Sequence, residues 1–200
     1  MHPGFADLNS FFFITPWLFI FLIPAITMRS FSDETRSGTI EILKTKPITT
    51  WQIIMGKYLG ALVLICIALF PTLTYIYSVF QLGNPQGNID WGTIIGSYVG
   101  LVLLGGAFTS IGIFTSTLSH NQIIAFLLGV ALCYFLYAGF DALEALALVS
   151  PGIMESFGMR LHFDSISRGV VDTRDHHLFF ECYPVFSAAH QNKPRTKINR

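Results

Sequence analysis

Two long apolar runs, residues 11–28 and 58–80, flank a charged and polar block at residues 29–57. The block contains five Lys or Arg residues and three Asp or Glu residues, whereas the first apolar run has 18 residues and no charge. On insertion scales each charge would cost about 2.5–3.5 kcal/mol at the centre of a bilayer. A run of about 18 apolar residues, in contrast, is long enough to cross it. The pattern therefore predicts membrane spans on both sides of a loop at the membrane surface.

The composition agrees with a membrane chain, since 52% of the residues are hydrophobic and only 12% are charged. Soluble domains carry about 25% charged residues. The formal net charge is zero, which gives no basic face for nucleic-acid binding. The cysteines are odd in number, and Cys66 and Cys133 lie in apolar runs, which argues against a disulfide framework.

Two further apolar runs, residues 93–116 and 123–140, bring the predicted spans to four. We therefore predict an all-α, polytopic transmembrane helical bundle. The block at residues 29–57 has five Lys or Arg residues and the connection at 81–92 has none, so the positive-inside rule places the block in the cytoplasm. This topology puts residues 141–175 on the outer face.

The third apolar run is rich in small residues, and Gly96 and Gly100 form a G-x-x-x-G pattern. Small residues at this spacing allow another helix to approach closely. The pattern fits packing within one chain and, alternatively, the face of a dimer.

The charged block has the pattern of two short helices. Residues that can begin or end them are Ser30, Ser32, Pro47, Thr49 and Thr50. Ile40 and Leu43 lie on one face at helical spacing, so the block contains a small amphipathic helix. Such a helix either lies on the lipid headgroups or docks onto a cytosolic partner.

The block also contains E-x-x-x-G-T-x-E-x-L followed by K-P-[IL], formed by Glu34, Gly38, Thr39, Glu41, Leu43, Lys46, Pro47 and Ile48. This pattern resembles the cytoplasmic loop of ABC-2 type transporter permeases. The resemblance implies a coupling helix that inserts into a groove of a separate ATPase subunit. The residues that it implies for partner binding are Glu34, Gly38, Thr39, Ile40, Glu41, Leu43 and Pro47, with Ile40 and Leu43 as the apolar insert.

Three stretches, at residues 27–34, 81–90 and 162–175, resemble one branch of these permeases, the gliding-motility-associated GldF subunits of Bacteroidota. The resemblance covers about residues 4–175. It implies a multi-pass permease subunit of the bacterial inner membrane whose partners are an ABC ATPase, the lipid bilayer and a second permease subunit, in a homo- or heterodimer.

Members of the family have six spans, whereas this chain begins at what resembles their second. Residues 176–200 contain no apolar run long enough for the last span. We therefore interpret residues 1–175 as the permease domain and 176–200 as a divergent, disordered tail. A fragment whose reading frame is shifted at the tail would explain both departures, and a divergent full-length protein is the alternative.

No phosphate-binding loop of the form G-x-x-x-x-G-K-[ST] is present, because Tyr58 follows Gly56 and Lys57 and the upstream glycine is missing. We therefore expect ATP and Mg²⁺ to bind the partner ATPase, and no cofactor or metal to bind this chain.

The alternative function is a membrane-embedded enzyme that acts on lipid or an envelope polymer, with its active site in residues 141–175. It would depend on His162 or Asp164 and not on the charged loop. The acidic and histidine residues that could be drawn as metal ligands are His162, Asp164, His176, His177 and Glu181. They lack the H-E-x-x-H spacing, which favours solvated loop residues.

Overall fold

The computed structural model of the protein describes residues 8–39, 49–82, 90–145 and 158–167, and these residues form helices and no strands. In chain order the elements are α1 (Asn9–Thr27), α2 (Arg29–Ser37), α3 (Thr50–Leu69), a 3-10 turn (Phe70–Thr72), α4 (Leu73–Leu82), α5 (Trp91–Leu118), α6 (Gln122–Tyr134), a π-helical turn (Phe135–Gly139), α7 (Phe140–Ala145) and α8 (Met159–Ser167). Most of the predicted external loop and the predicted tail at residues 176–200 lie outside the described residues.

Four helical segments within the described residues are long and apolar enough to cross a membrane. Span 1 is Asn9–Ser37, span 2 is Trp51–Leu82, span 3 is Trp91–Leu118 and span 4 is Gln122–Leu143. Each contains one of the four predicted apolar runs. The prediction of an all-α, polytopic helical bundle is therefore confirmed.

Span 3 lies at the centre of the bundle, and most of it is buried. The small residues that the sequence places there allow this burial, because neighbouring side chains reach the backbone of the span. Ile65 of span 2 contacts Gly105, and Thr27 of span 1 lies against Gly112. Spans 1, 2 and 4 surround span 3. Their outward faces carry exposed apolar side chains such as Phe13, which can contact lipid.

Aromatic side chains gather at the end of the bundle opposite to α2. The Phe11 ring lies near the rings of Phe12, Tyr75 and Tyr98. Phe12 and Tyr98 also form an edge-to-face contact, with 5.3 Å between the ring centroids. The hydroxyls of Thr72 and Tyr98 are also hydrogen-bonded at 3.1 Å. Aromatic residues with a polar tip are typical of the membrane–water interface, so this cluster indicates one membrane boundary of spans 1 to 3.

Candidate functional site

Span 1 does not end where the charged block begins, because α1 continues into α2. Met28 has α-helical backbone angles, and its N–H donates to the Pro24 carbonyl at 2.8 Å. Span 1 therefore has 29 residues. It is about 43 Å long, whereas the hydrocarbon core is about 30 Å thick. The expectation that Ser30 or Ser32 caps a new helix was wrong, since no helix starts there and no side chain caps α2.

The Ser116 side chain of span 3 inserts into the backbone hydrogen bonds between α1 and α2. The N–H groups of Phe31 and Ser32 donate to Ser116 Oγ at 2.9 and 3.2 Å, and Ser116 Oγ donates to the Met28 carbonyl at 2.9 Å. In a regular helix the Ser32 N–H would donate to that carbonyl directly. A side chain inserted in this way is a known cause of helix bending. The direct backbone bond at Met28 is thus interrupted, and Ser116 of span 3 binds both sides of the interruption.

Lys57, near the start of α3, connects α2 to span 2. Its ammonium group lies 2.6 Å from Glu34 Oε1, with the lysine side chain 19% exposed and the glutamate 29% exposed. The same group donates to the Ser30 carbonyl and lies 4.1 Å from the centroid of the Phe31 ring. One cation thus binds a carboxylate, a carbonyl and an aromatic face on a single short helix.

Two further contacts complete the packing of α2. The Phe31 ring is buried in a small apolar cluster with Ile54 of span 2 and Ile113 of span 3. At the start of span 4, the Gln122 amide donates to the Asp33 carboxylate. We call α2 together with Lys57, Ser116 and Gln122 the α2 junction, because it joins α2 to spans 2, 3 and 4.

The loop leaves the α2 junction at Gly38, which has a φ of 72° and nothing within 4 Å of the position of a Cβ. This left-handed conformation is the usual glycine end of a helix and is strained for other residues. Thr39 is exposed, and its hydroxyl lies 3.0 Å from the Ser37 hydroxyl. The other residues implied in partner binding, Ile40, Glu41, Leu43 and Pro47, lie outside the described residues.

The loop returns into span 2 at Thr49, where a side-chain cap begins α3. Thr49 Oγ1 accepts from the Gln52 N–H at 3.4 Å, and Gln52 Oε1 accepts from the Thr49 N–H at 3.0 Å. This reciprocal pair is a capping box. Of the two candidates, Thr49 and Thr50, the structure assigns the cap to Thr49.

The G-x-x-x-G pattern lies at the other end of the bundle, where α8 packs against span 3. Gly96 and Gly100 are both buried, and a Cβ at Gly100 would lie 3.2 Å from the Phe163 ring and 3.4 Å from Ile166. Gly100 therefore packs within the chain. Arg160 of α8 also forms an ion pair with Asp141 of span 4 at 2.8 Å.

His162 and Asp164, on which the enzyme alternative depends, lie on α8. The buried face of this helix is formed by Met159, Phe163 and Ile166. In the part of the chain that the structure describes, no three His, Cys, Asp or Glu side chains are grouped to hold a metal ion. His176, His177 and Glu181 lie outside that part.

Lys57, Ser116, Gln122 and Asp33 were not among the residues that the sequence indicated as functional. The one available signal was Lys57, a charged residue at the start of an apolar helix. An ionisable residue in such a position generally has a partner or a function. Ser116 and Gln122 give no comparable signal, because a serine or glutamine at the end of a span is common.

A family model described as "ABC-2 family transporter protein" matches residues 3–192. No curated protein and no solved structure matches the chain. The family match includes the whole charged block and extends beyond residue 175, where the sequence analysis ended the permease domain.

Proposed function

Because this chain belongs to the ABC-2 family of transporter proteins, and so is a multi-pass membrane component of an ABC transporter, we propose that a separate ATPase subunit drives it through the loop after α2. ATP and Mg²⁺ bind that ATPase subunit. The partner-binding residues of this chain are Gly38, Thr39, Ile40, Glu41, Leu43 and Pro47, with Ile40 and Leu43 entering an apolar groove. Glu34 belongs to the same sequence pattern and lies where the loop begins.

The observation that carries this proposal is the α2 junction. The docking loop is continuous with a helix that extends span 1 beyond the thickness of the hydrocarbon core. That helix is bound to span 2 by Lys57, to span 3 by Ser116 and to span 4 by Gln122. A force applied to the loop would therefore reach all four spans, whereas an interfacial helix on a flexible connection would transmit none.

The resemblance at residues 27–34, 81–90 and 162–175 supports a more specific proposal. We propose that the transporter acts in the inner membrane of a bacterium with gliding motility, in the role of GldF. The permease domain would then pair with a second permease subunit, as the resemblance to this branch implies. Membership of a transporter family favours this function over the alternative of an enzyme that depends on His162 or Asp164.

Replacing Ile40 and Leu43 together by Asp tests the docking loop. Both changes place a charge on the face proposed to enter an apolar groove, and neither lies in a span, so membrane insertion should be retained. The ATPase should no longer copurify with the double variant from solubilised membranes.

The matched control replaces Gln86 and Ile89, which have the same spacing in the connection between spans 2 and 3 on the opposite side of the membrane, by Asp. This variant should retain the ATPase. If the Ile40 and Leu43 variant also retains it, the loop is not the docking element, and the amphipathic helix lies on the lipid headgroups instead.

A further inference from the structure

Glu34 belongs to the pattern implied in partner binding, yet its carboxylate is directed to Lys57 within the chain. We propose that Lys57 is a positioning residue, which holds α2 to span 2 through Glu34 so that displacement of the docking loop moves span 2. This inference rests on the proposed function, and it assigns Glu34 to transmission within the permease and not to contact with the ATPase.

The arrangement of the partners of Lys57 supports a rigid connection. The Ser30 carbonyl, the Phe31 ring and the Glu34 carboxylate come from one and a half turns of α2, and all converge on one ammonium group. Rotation or translation of α2 against α3 would break all three contacts together. Because the lysine and glutamate are both largely buried, neither charge would find full hydration as a replacement.

The connection between α2 and α1 is different in kind. The regular backbone bond at Met28 is replaced by the Ser116 hydroxyl, which bridges the two sides of the interruption. An insertion of this kind is a known cause of a bend in a helix. The α2 helix is thus joined to α1 through a bridged backbone bond and to α3 through three contacts of one cation. We therefore expect a displaced α2 to carry span 2 with it, in addition to its effect on the other spans.

The variant that tests this role is Lys57→Met, which retains the apolar length of the side chain and removes the charge. It would leave the Glu34 carboxylate largely buried without its cation. A second variant therefore combines Glu34→Leu with Lys57→Met, so that no charge is left behind. Lys57→Arg retains the cation. The control is Arg160→Met, which breaks the ion pair with Asp141 at the other end of the bundle.

The protein is purified with its ATPase and placed in lipid nanodiscs. Spin labels are attached to cysteines introduced at Gly60 of span 2 and Leu127 of span 4, which are both exposed, in a background without the native cysteines. Double electron–electron resonance spectroscopy then measures the distance between the two labels, first without nucleotide and then with ATP and vanadate. This readout reports motion of span 2, which a residue needed only for folding would not affect selectively.

We expect the ATPase to copurify with every variant and the wild-type distance to change with nucleotide. Lys57→Met and the double variant should show less than half of the wild-type change, whereas Lys57→Arg and the control should show most of it. A full change in the double variant would overturn the positioning role and leave the proposed function intact. Loss of the ATPase from the double variant would assign the pair to folding or docking and also overturn it.

A wild-type protein that brings no ATPase, or whose labels do not move with nucleotide, would refute the proposed function itself. The two failures are therefore distinguishable.

Discussion

Replacing Gly112 by Ala should push spans 1 and 3 apart where Gly112 lies against Thr27, the last residue of α1. A Cβ at Gly112 would lie 2.0 Å from Thr27 Oγ1 and 3.0 Å from Thr27 Cβ. Thr27 is fully buried, and its hydroxyl donates to the Ile23 carbonyl at 2.9 Å. Rotating the threonine side chain gives only partial relief, because it breaks the bond to the Ile23 carbonyl and leaves the Thr27 Cβ at 3.0 Å, closer than ordinary van der Waals contact. The backbones must therefore move apart.

Overpacking of this kind typically costs about 1–3 kcal/mol. For a chain of about 200 residues each kcal/mol corresponds to roughly 2–4 °C in the unfolding midpoint of soluble proteins, so we expect a decrease of roughly 2–12 °C. Gly60 is the matched control, because nothing lies within 4 Å of a Cβ at that position. Gly60→Ala should be neutral or stabilise by up to about 1 kcal/mol, since alanine favours a helix.

The assay measures how much monodisperse protein remains after heating, by fluorescence-detection size-exclusion chromatography in the same detergent for all variants. Combining Gly112→Ala with Thr27→Ala removes the hydroxyl and methyl groups, so the midpoint should recover in part. Equal midpoints for Gly112→Ala and Gly60→Ala would show that spans 1 and 3 do not approach as described.

Two other predictions concern helix caps, and a third concerns the membrane topology. Thr49→Ala should cost about 1 kcal/mol and speed amide exchange in the first turn of α3, whereas Thr49→Ser should not; equal exchange would contradict the cap. The Thr93 hydroxyl donates to Asp90 and lowers the pKa of that carboxyl from its usual value, so the cap stabilises α5 above about pH 4 and is lost on further acidification. The protection of the Thr93 amide, as its exchange rate relative to the intrinsic rate at each pH, should decrease accordingly, and Asp90→Asn should remove that dependence. A wild-type protection factor that does not change between about pH 5 and acid would contradict it. A reporter fused after Lys46 should be cytoplasmic and one after Gly87 external, because of the Lys and Arg contrast, and an external signal at Lys46 would invert the topology.

The spans could be predicted from the sequence because apolar length is a local property. The thickness of the hydrocarbon core determines how many apolar residues are needed, and four runs meet that length. The small residues of span 3 likewise indicated close packing. They did not indicate the neighbour, because the contact of Gly100 with Phe163 and of Gly112 with Thr27 depends on which helices lie together in the folded chain.

The continuation of span 1 into α2 could not be predicted, because local signals pointed the other way. Ser32 is a good N-cap residue in isolation. In the structure its hydroxyl donates to the Met28 carbonyl, and its N–H is satisfied by Ser116, which lies 84 residues away. A serine within a helix bonded to an earlier carbonyl is the usual competitor of a capping serine, and only tertiary structure decides between them.

The candidate site was predicted only in part for the same reason. The family pattern indicated Glu34 and the loop that follows, but a pattern of adjacent residues does not show the direction of a side chain. The partner of Glu34 is Lys57, on the far side of that loop. From the sequence, Lys57 is one of five basic residues that indicate the topology and belongs to no phosphate-binding loop, and neither property points to Glu34.

The central claim is that the loop between spans 1 and 2 contacts an ATPase in the cytoplasm. The most direct measurement is cross-linking in intact membranes from single cysteines at Leu43 and at Gly87, in a background without native cysteines. The cross-linked partner is identified by mass spectrometry through a peptide with the G-x-x-x-x-G-K-[ST] phosphate-binding sequence. We predict that the Leu43 position cross-links to an ATPase and that the Gly87 position does not. No ATPase from Leu43, or an ATPase from Gly87, would contradict the account.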